Sequence, residues 1–434
     1  MSEAPHLVRA LRRRDLTGIV LNAMIGAGML AAPAKVYALA GGWSFVVLAA
    51  AALALTPLIL CFADLSSRFS GTGGPYLYAR AALPALPAFA VGWLMWFSQA
   101  MSVATLSALF VTYLAGFVPA LESGAPRYLT IGLLGVILTS IVLVGIRQSA
   151  RASNVLIVLK LGFVLAFAAA GVGFVQADRL AIDTSLPTAV PFAQALLIYL
   201  FAYSGFERGS VVAGEARDPQ RDVPAALIGG VAAVTFAYAA VLLVCVGVLD
   251  SPAANDRPLA EVGRQLFGDA GAIAVSAGAL AVIVGTILVI TISMPRMLLA
   301  LSEQDQLPRW LGHVHPRWRT PHVAIVISSI LGFGFAMASD LLTALTIATA
   351  ARLTGYILCC ISLWRMSRRA DAPEPRFSLP YRGPIALFTA ALFTGVLLLG
   401  ATKELPALLV VLVAGLVLWV FSRKAPSPGP RNSP

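Results

Sequence analysis

The chain has 434 residues, 59% of them hydrophobic and only 12% charged, with a mean hydropathy of +0.85. A water-soluble domain cannot hide that much apolar surface, whereas a bilayer core requires about 20 apolar residues for each helical crossing. The formal net charge of +11 would suggest nucleic acid as a partner, but the positions of the charges give it another origin.

In chain order, twelve apolar runs lie near 16–39, 43–68, 88–118, 127–146, 153–176, 190–213, 224–248, 270–300, 321–338, 340–363, 384–402 and 404–421. Backbone groups in lipid must be satisfied within the segment, so each run predicts a helix. The expected fold is an all-α polytopic membrane protein with twelve transmembrane helices embedded in the lipid bilayer. The N-terminal "RALRRRD" resembles the opening of a signal peptide, but the run that follows is too long for one and eleven more succeed it. A retained first helix is the expectation. Cys61, Cys245, Cys359 and Cys360 all fall inside spans and are expected as small core residues.

With the N-terminus in the cytoplasm, the segments on that side hold 23 basic residues and the opposite side holds five. This asymmetry predicts both termini inside the cell membrane and accounts for the charge without nucleic acid. Lys35, Lys160 and Arg352 remain within or beside spans. The 1–15 segment reads as a cytoplasmic tail, and 422–434, "SRKAPSPGPRNSP", as a disordered one. Spans one to five (16–176) and six to ten (190–363) can be overlaid as two halves of five, with 384–421 appended.

The first span of each half is interrupted by small or polar residues, "NAMIGAG" and "YSGFERGS". Interrupted hydrophobic segments at corresponding positions point to the binding site of an inverted-repeat transporter. Gly26 and Gly28, either side of Ala27, weaken a helix by about 1 kcal/mol each relative to Ala. If the helix unwinds there, the N–H groups opening its second half form an anion-binding end suited to a carboxylate; the alternative is a small-residue packing face. In the second interruption Ser204 and Gly205 precede Glu207, a carboxylate that lines a pathway or pairs with Arg208 or water at the membrane interface. Lys160 must be held by carboxylates or carbonyls if buried, or else snorkel to the interface. Arg352 needs a carboxylate such as Glu207 or Asp64, carbonyls or a wet cavity, unless its span is offset by one turn towards water. Asp222, before Val223 and Pro224, is expected to cap the seventh span.

Taken together, "NAMIGAGML…P", "DLSSRFSGTGGPYLYARAALPALPAFAVGW", "NVLIVLKLG", "FAYSGFE…GEARDPQRDVPAAL" and "PRMLLALSEQDQLPRWLGHVHPRWRTP" resemble the amino acid–polyamine–organocation superfamily of transporters in order and spacing, over about residues 15–365. The resemblance implies a leucine-transporter-like five-plus-five inverted repeat with two further helices. It implies that the amides of Gly26, Ala27 and Gly28 hold the substrate carboxylate. Carbonyls around Ala202, Tyr203 and Ser204, helped by those of Ala23 and Ile25, would then take the ammonium. Family members often carry Ser or Thr where this chain has Ala27, which leaves carboxylate recognition mainly to backbone. Asn22 matches an Asn of some exchangers, or serves an interhelical hydrogen bond. Lys160 stands where sodium sits in sodium-coupled relatives, which implies sodium-independent symport with protons or exchange.

The walls suggest the substrate. Phe201 and Phe206 of the sixth span are apolar, the eighth span carries no charge before Arg296, and Gln99 of the third is polar with its facing unsettled. A cationic side chain usually needs a carboxylate or an aromatic face. The expected activity is therefore secondary transport of neutral, apolar amino acids by alternating access, in a monomer or homodimer, with cationic amino acids or polyamines as the other transport class. A membrane-embedded enzyme is disfavoured because the spans contain no histidine apart from His322 at the edge of the ninth. A transport-dead sensor of the same fold would usually carry a large signalling domain. No cofactor or metal is expected, since His313, His315 and His322 are poorly spaced around Pro316 for a metal site.

Overall fold

The computed structural model describes residues 11–424 except 72, 145, 183–185 and 319; the side chains of 27, 144–156, 215, 423 and 424 also lie outside the description. Most of the two expected tails therefore falls outside the described residues, and so does the side chain of Ala27.

The described chain opens with α1 (Arg13–Met24) and α2 (Ala27–Ala40), two helices parted at Ile25 and Gly26. The next elements are α3 (Ser44–Arg68), a short α4 (Pro75–Ala82) and the long α5 (Ala85–Leu114). Two further helices, α6 (Gly124–Val144) and α7 (Ile146–Val172), lead to α8 (Ala189–Ala202), which stops at a turn over 203–207 before the one-turn α9 (Arg208–Val211). After it come α10 (Pro219–Val248) and α11 (Pro258–Glu303), the latter interrupted at Phe267 and at Gly268, whose φ of 64° suits glycine. The chain ends in α12 (His322–Ala338), α13 (Leu341–Ser367), α14 (Arg382–Gly400) and α15 (Leu405–Lys424). Among the described residues there is no strand; the one β-type pairing is an isolated bridge between Leu11 and Ala216.

Among the described residues, eight stretches are long and apolar enough to cross a membrane: the run Gly28–Arg68, which takes in most of α2 and all of α3, together with α5, α6, α10, α11, α13, α14 and Thr402–Ser422. Ile157–Val172, Ala189–Ala202 and His322–Ala338 are apolar but shorter. The molecule is a multi-pass helical membrane protein.

Burial sorts these helices. The most apolar window of α5 is 94% buried, and α5 packs against α11, α12 and α13 at the centre of the bundle. That of α15 is 11% buried, so its outward Leu409, Val410 and Phe421 have lipid as their natural solvent. Leu129, Leu133 and Val136 of α6 are exposed in the same way.

Proline sets several helix starts, because its missing N–H is an orphan in the first turn anyway. It does so in α4, α10 and α11. In α10 this corrects the expected cap: the helix begins at Pro219 with Asp218 at the N-cap, and Asp222 lies inside its first turn. Asp218 makes no side-chain cap and instead pairs with Arg376 at 2.8 Å.

Candidate functional site

The two interruptions meet in the middle of the bundle. An ideal Cβ on Gly28 would sit 2.2 Å from Ala202 Cβ and 2.3 Å from its Cα, so the start of α2 touches the end of α8 at a distance only glycine allows. Gly205, at φ 110°, lies against the Ala23 carbonyl, with a built Cβ 2.8 Å from its oxygen. The hydroxyl of Tyr238 on α10 is 2.6 Å from Met24 O and 2.7 Å from Ala202 O. It therefore serves a carbonyl at the end of each broken helix in turn, and those ends would otherwise carry orphan acceptors.

Gly26 precedes the first turn of α2, whose opening N–H groups have no helical partner and carry the positive end of the helix dipole. A cavity of about 20 Å³, room for roughly one water, lies between the breaks; Gly26, Gly28, Ala202, Ser204, Arg208 and Thr286 are among its lining residues. Ala23 and Phe201 also border it. Ser204 turns its hydroxyl back onto Phe201 O at 2.5 Å, and Tyr203 is buried with its ring 5.2 Å from that of Tyr238.

Lys160 comes in from α7, 1% exposed. Its ammonium donates to Asn22 O and Ile25 O, both at 3.0 Å, and to Thr286 Oγ1 at 2.6 Å. Three hydrogens meet three acceptors, so the charge is held without a carboxylate and α1, α7 and α11 are tied at the break. Asn22 is itself buried and takes part through its carbonyl. Thr286 also lies 3.0 Å from Ile25 O.

Glu207, 2% exposed, sits at the end of the second interruption. Its Oε2 accepts from Gly205 N at 2.9 Å and from Tyr356 OH at 2.8 Å, and its Oε1 is 3.5 Å from Arg352 Nε. Arg352 donates through Nη2 to Ser102 Oγ at 2.9 Å, while Nη1 has no hydrogen-bond partner. The carboxylate thus joins the second interruption to α13, and Arg352 carries the link on to α5. Phe62, Phe206 and Tyr356 pack around it with ring centroids 5.3 Å apart in each pair.

Asp64, the other carboxylate considered for Arg352, is committed elsewhere. It pairs with Arg68 at 2.7 Å and accepts from Leu379 N at 3.0 Å, holding the chain between α13 and α14. Gln99 faces α11, accepting from Ser293 at 2.8 Å. Lys35 pairs with Asp256 at 2.8 Å, away from the central cavity.

Sequence reasoning passed over several participants. Thr286 is a lone hydroxyl residue in "VIVGTILV", Tyr238 lies in the apolar run "FAYAAVLL", and Tyr356 lies one turn beyond Arg352 on α13. Arg208 is the largest omission. It appeared only as a partner for Glu207 at the membrane interface, yet it is 3% exposed and borders the cavity.

The chain is similar to known transport proteins along nearly its whole length. The profile of a family described as amino acid permease matches residues 11–421. The chain is 26% identical to the methylthioribose transporter of Bacillus subtilis over 98% of this chain and 95% of the relative. It is 26% identical to the branched-chain amino acid permease BcaP of the same organism, over 96% and 94%. It is 28% identical to the chloroplastic cationic amino acid transporter 9 of Arabidopsis thaliana, over 84% of this chain and 68% of the relative.

Proposed function

The chain belongs to the amino acid permease family, and from that premise we propose that it carries amino acids across the cytoplasmic membrane by alternating access, with the substrate seated between the two helix interruptions. The observation that carries this reading is the facing pair of breaks, Gly26–Gly28 against Ala202–Gly205, with a cavity between them. In this reading the amides of Gly26, Ala27 and Gly28 bind the carboxylate, and carbonyls around Ala202, Tyr203 and Ser204, with that of Ala23, take the ammonium, while Ile25 O stays with Lys160 and Thr286. Residues 16–176 and 190–363 act as two inverted halves of five helices, the helices at 384–421 flank them, and both termini are cytoplasmic. The broken helices rock with the substrate. Glu207 and Arg352, joined across α9 and α13, form a gate that opens and closes with that motion.

Sodium has no place in this cycle. The Lys160 ammonium occupies the acceptors that a cation at the break of α1 would use, and a second cation about 3 Å away would be repelled strongly in so dry a site. Coupling is to protons or to a counter-substrate. Neutral amino acids fit better than cationic ones, because Lys160, Arg208 and Arg352 are buried near the site with Glu207 as the carboxylate among them. The cationic amino acid or polyamine reading would need a free carboxylate, and Glu207 is already engaged by Tyr356, Gly205 and Arg352.

The test is uptake by the purified protein in proteoliposomes, across the twenty amino acids, with and without sodium and a pH gradient. Uptake of neutral amino acids that is indifferent to sodium supports the reading. Strict sodium dependence, or no amino acid uptake under any gradient, refutes it.

A further inference from the structure

Among the described residues, Arg208 is a buried charge that makes no ion pair within 4 Å. Its side chain leaves the short α9 and ends beside the carbonyl of Ala23, where Nη1 is 3.4 Å from the oxygen, beyond the usual hydrogen-bond range. Its Nε has no hydrogen-bond partner, and no carboxylate lies within ion-pair distance of it among the described residues. Its neighbour Glu207 spends both oxygens on other groups. Leaving a guanidinium 3% exposed in this condition costs several kcal/mol unless something negative joins it. Arg208 also borders the central cavity together with Gly26, Gly28, Ser204 and Thr286.

We infer that Arg208 is an anion subsite of the central cavity, receiving a carboxylate of the transported amino acid and turning away cationic side chains. The inference rests on the reading of that cavity as the amino-acid site and adds to it a substrate class of net charge zero or minus one. The planar fork of the guanidinium matches a carboxylate through two hydrogen bonds. The substrate's charge then completes the pairing of the guanidinium. A substrate bearing an ammonium on its side chain would instead place a second cation near Arg208, Lys160 and Arg352, at a large electrostatic cost. Arg208 thereby reinforces a carboxylate site that backbone amides alone would make weaker.

Norleucine and lysine test this cleanly, because they share a carbon chain and differ by the terminal ammonium; norleucinamide removes the carboxylate charge instead. Binding is measured by ligand-induced thermal stabilisation and by competition against radiolabelled leucine, on the purified full chain. The wild type should prefer norleucine to lysine and to norleucinamide by about 30-fold or more. Arg208→Gln should weaken norleucine binding by about 30-fold, shrink both preferences towards unity and admit lysine. Arg208→Lys, which keeps the charge but loses the fork, should fall between the two. An Arg208→Gln protein that keeps wild-type preferences overturns the inference. If that variant does not fold, a wild type that binds lysine as well as norleucine overturns it equally. A wild type that binds no amino acid overturns the transport reading and this inference together, whereas a wild type that binds them with preferences unmoved by Arg208→Gln overturns this inference alone.

Discussion

The Lys160 ammonium lies 3.0 Å from the carbonyl oxygen of Ile25, the residue at which the first membrane segment stops being helical. A helix that ends inside a membrane leaves carbonyls without partners, and a lysine buried there has a charge to place. Each resolves the other's difficulty. Because Lys160 sits on α7 and Thr286 on α11, the same contact fixes the position of the break relative to two neighbouring helices.

Replacing Lys160 with Met keeps much of the length but removes all three donated hydrogen bonds. Ile25 O keeps Thr286 as a donor, but Asn22 O loses the lysine at a cost of roughly 1–3 kcal/mol, and the geometry of the α1 end should loosen. Thermal unfolding in detergent should show the lowered stability, and uptake should fall at least about tenfold through misplacement of the backbone proposed to bind the substrate. Stability equal to the wild type would mean that these carbonyls find water without the lysine.

The contact between Gly28 and Ala202 makes a sharp steric prediction. Gly28→Ala places a methyl on the backbone of α8, at 2.3 Å from a Cα atom that cannot rotate aside. The two helix ends must part, with an overpacking cost of about 1–3 kcal/mol or more and loss of uptake. Gly229→Ala on α10 is the control, since a Cβ there meets nothing within 4 Å. That change should leave uptake intact and stability unchanged or raised by up to about 1 kcal/mol.

How much of this was legible beforehand depended on whether the signal was local. The breaks at "MIGAG" and "YSGFERG" were visible because glycine and polar residues stand out within apolar runs. Whether Glu207 or Asp64 faced Arg352 was not legible, because that depends on helix phase and on a loop around Phe377 to Leu379 folding back onto α3. Arg208 was hidden for a related reason: one residue beyond a turn of uncertain length separates the membrane interface from the core. The start of α10 was misplaced because two prolines, Pro219 and Pro224, both offer a plausible first turn. The charge that Pro219 leaves outside the helix, on Asp218, is claimed by Arg376 far along the chain.

Tyr238→Phe removes one oxygen and nothing else. The hydroxyl serves Met24 O and Ala202 O, so its loss should cost about 1–3 kcal/mol in thermal unfolding and slow uptake without changing which amino acids compete. A change in selectivity would instead place the hydroxyl against the substrate.

The Glu207–Arg352 pair predicts strong non-additivity. Glu207→Gln strands a guanidinium that is 2% exposed, and breaking a buried pair in this way costs about 3–5 kcal/mol. Adding Arg352→Gln should recover part of that loss, because the uncompensated charge goes with it. Thermal unfolding of the two single variants and the double variant measures the coupling. Additive losses would show that the 3.5 Å pair contributes little.

The claim that an amino acid sits between the two interruptions is tested most directly by photolabelling. Photo-leucine, a neutral amino acid that carries a diazirine, would be irradiated with the reconstituted protein and the adducts located by mass spectrometry. Adducts on 22–29 and 201–208, suppressed by excess leucine, are the predicted result. Leucine-suppressible adducts confined to other parts of the chain would contradict it.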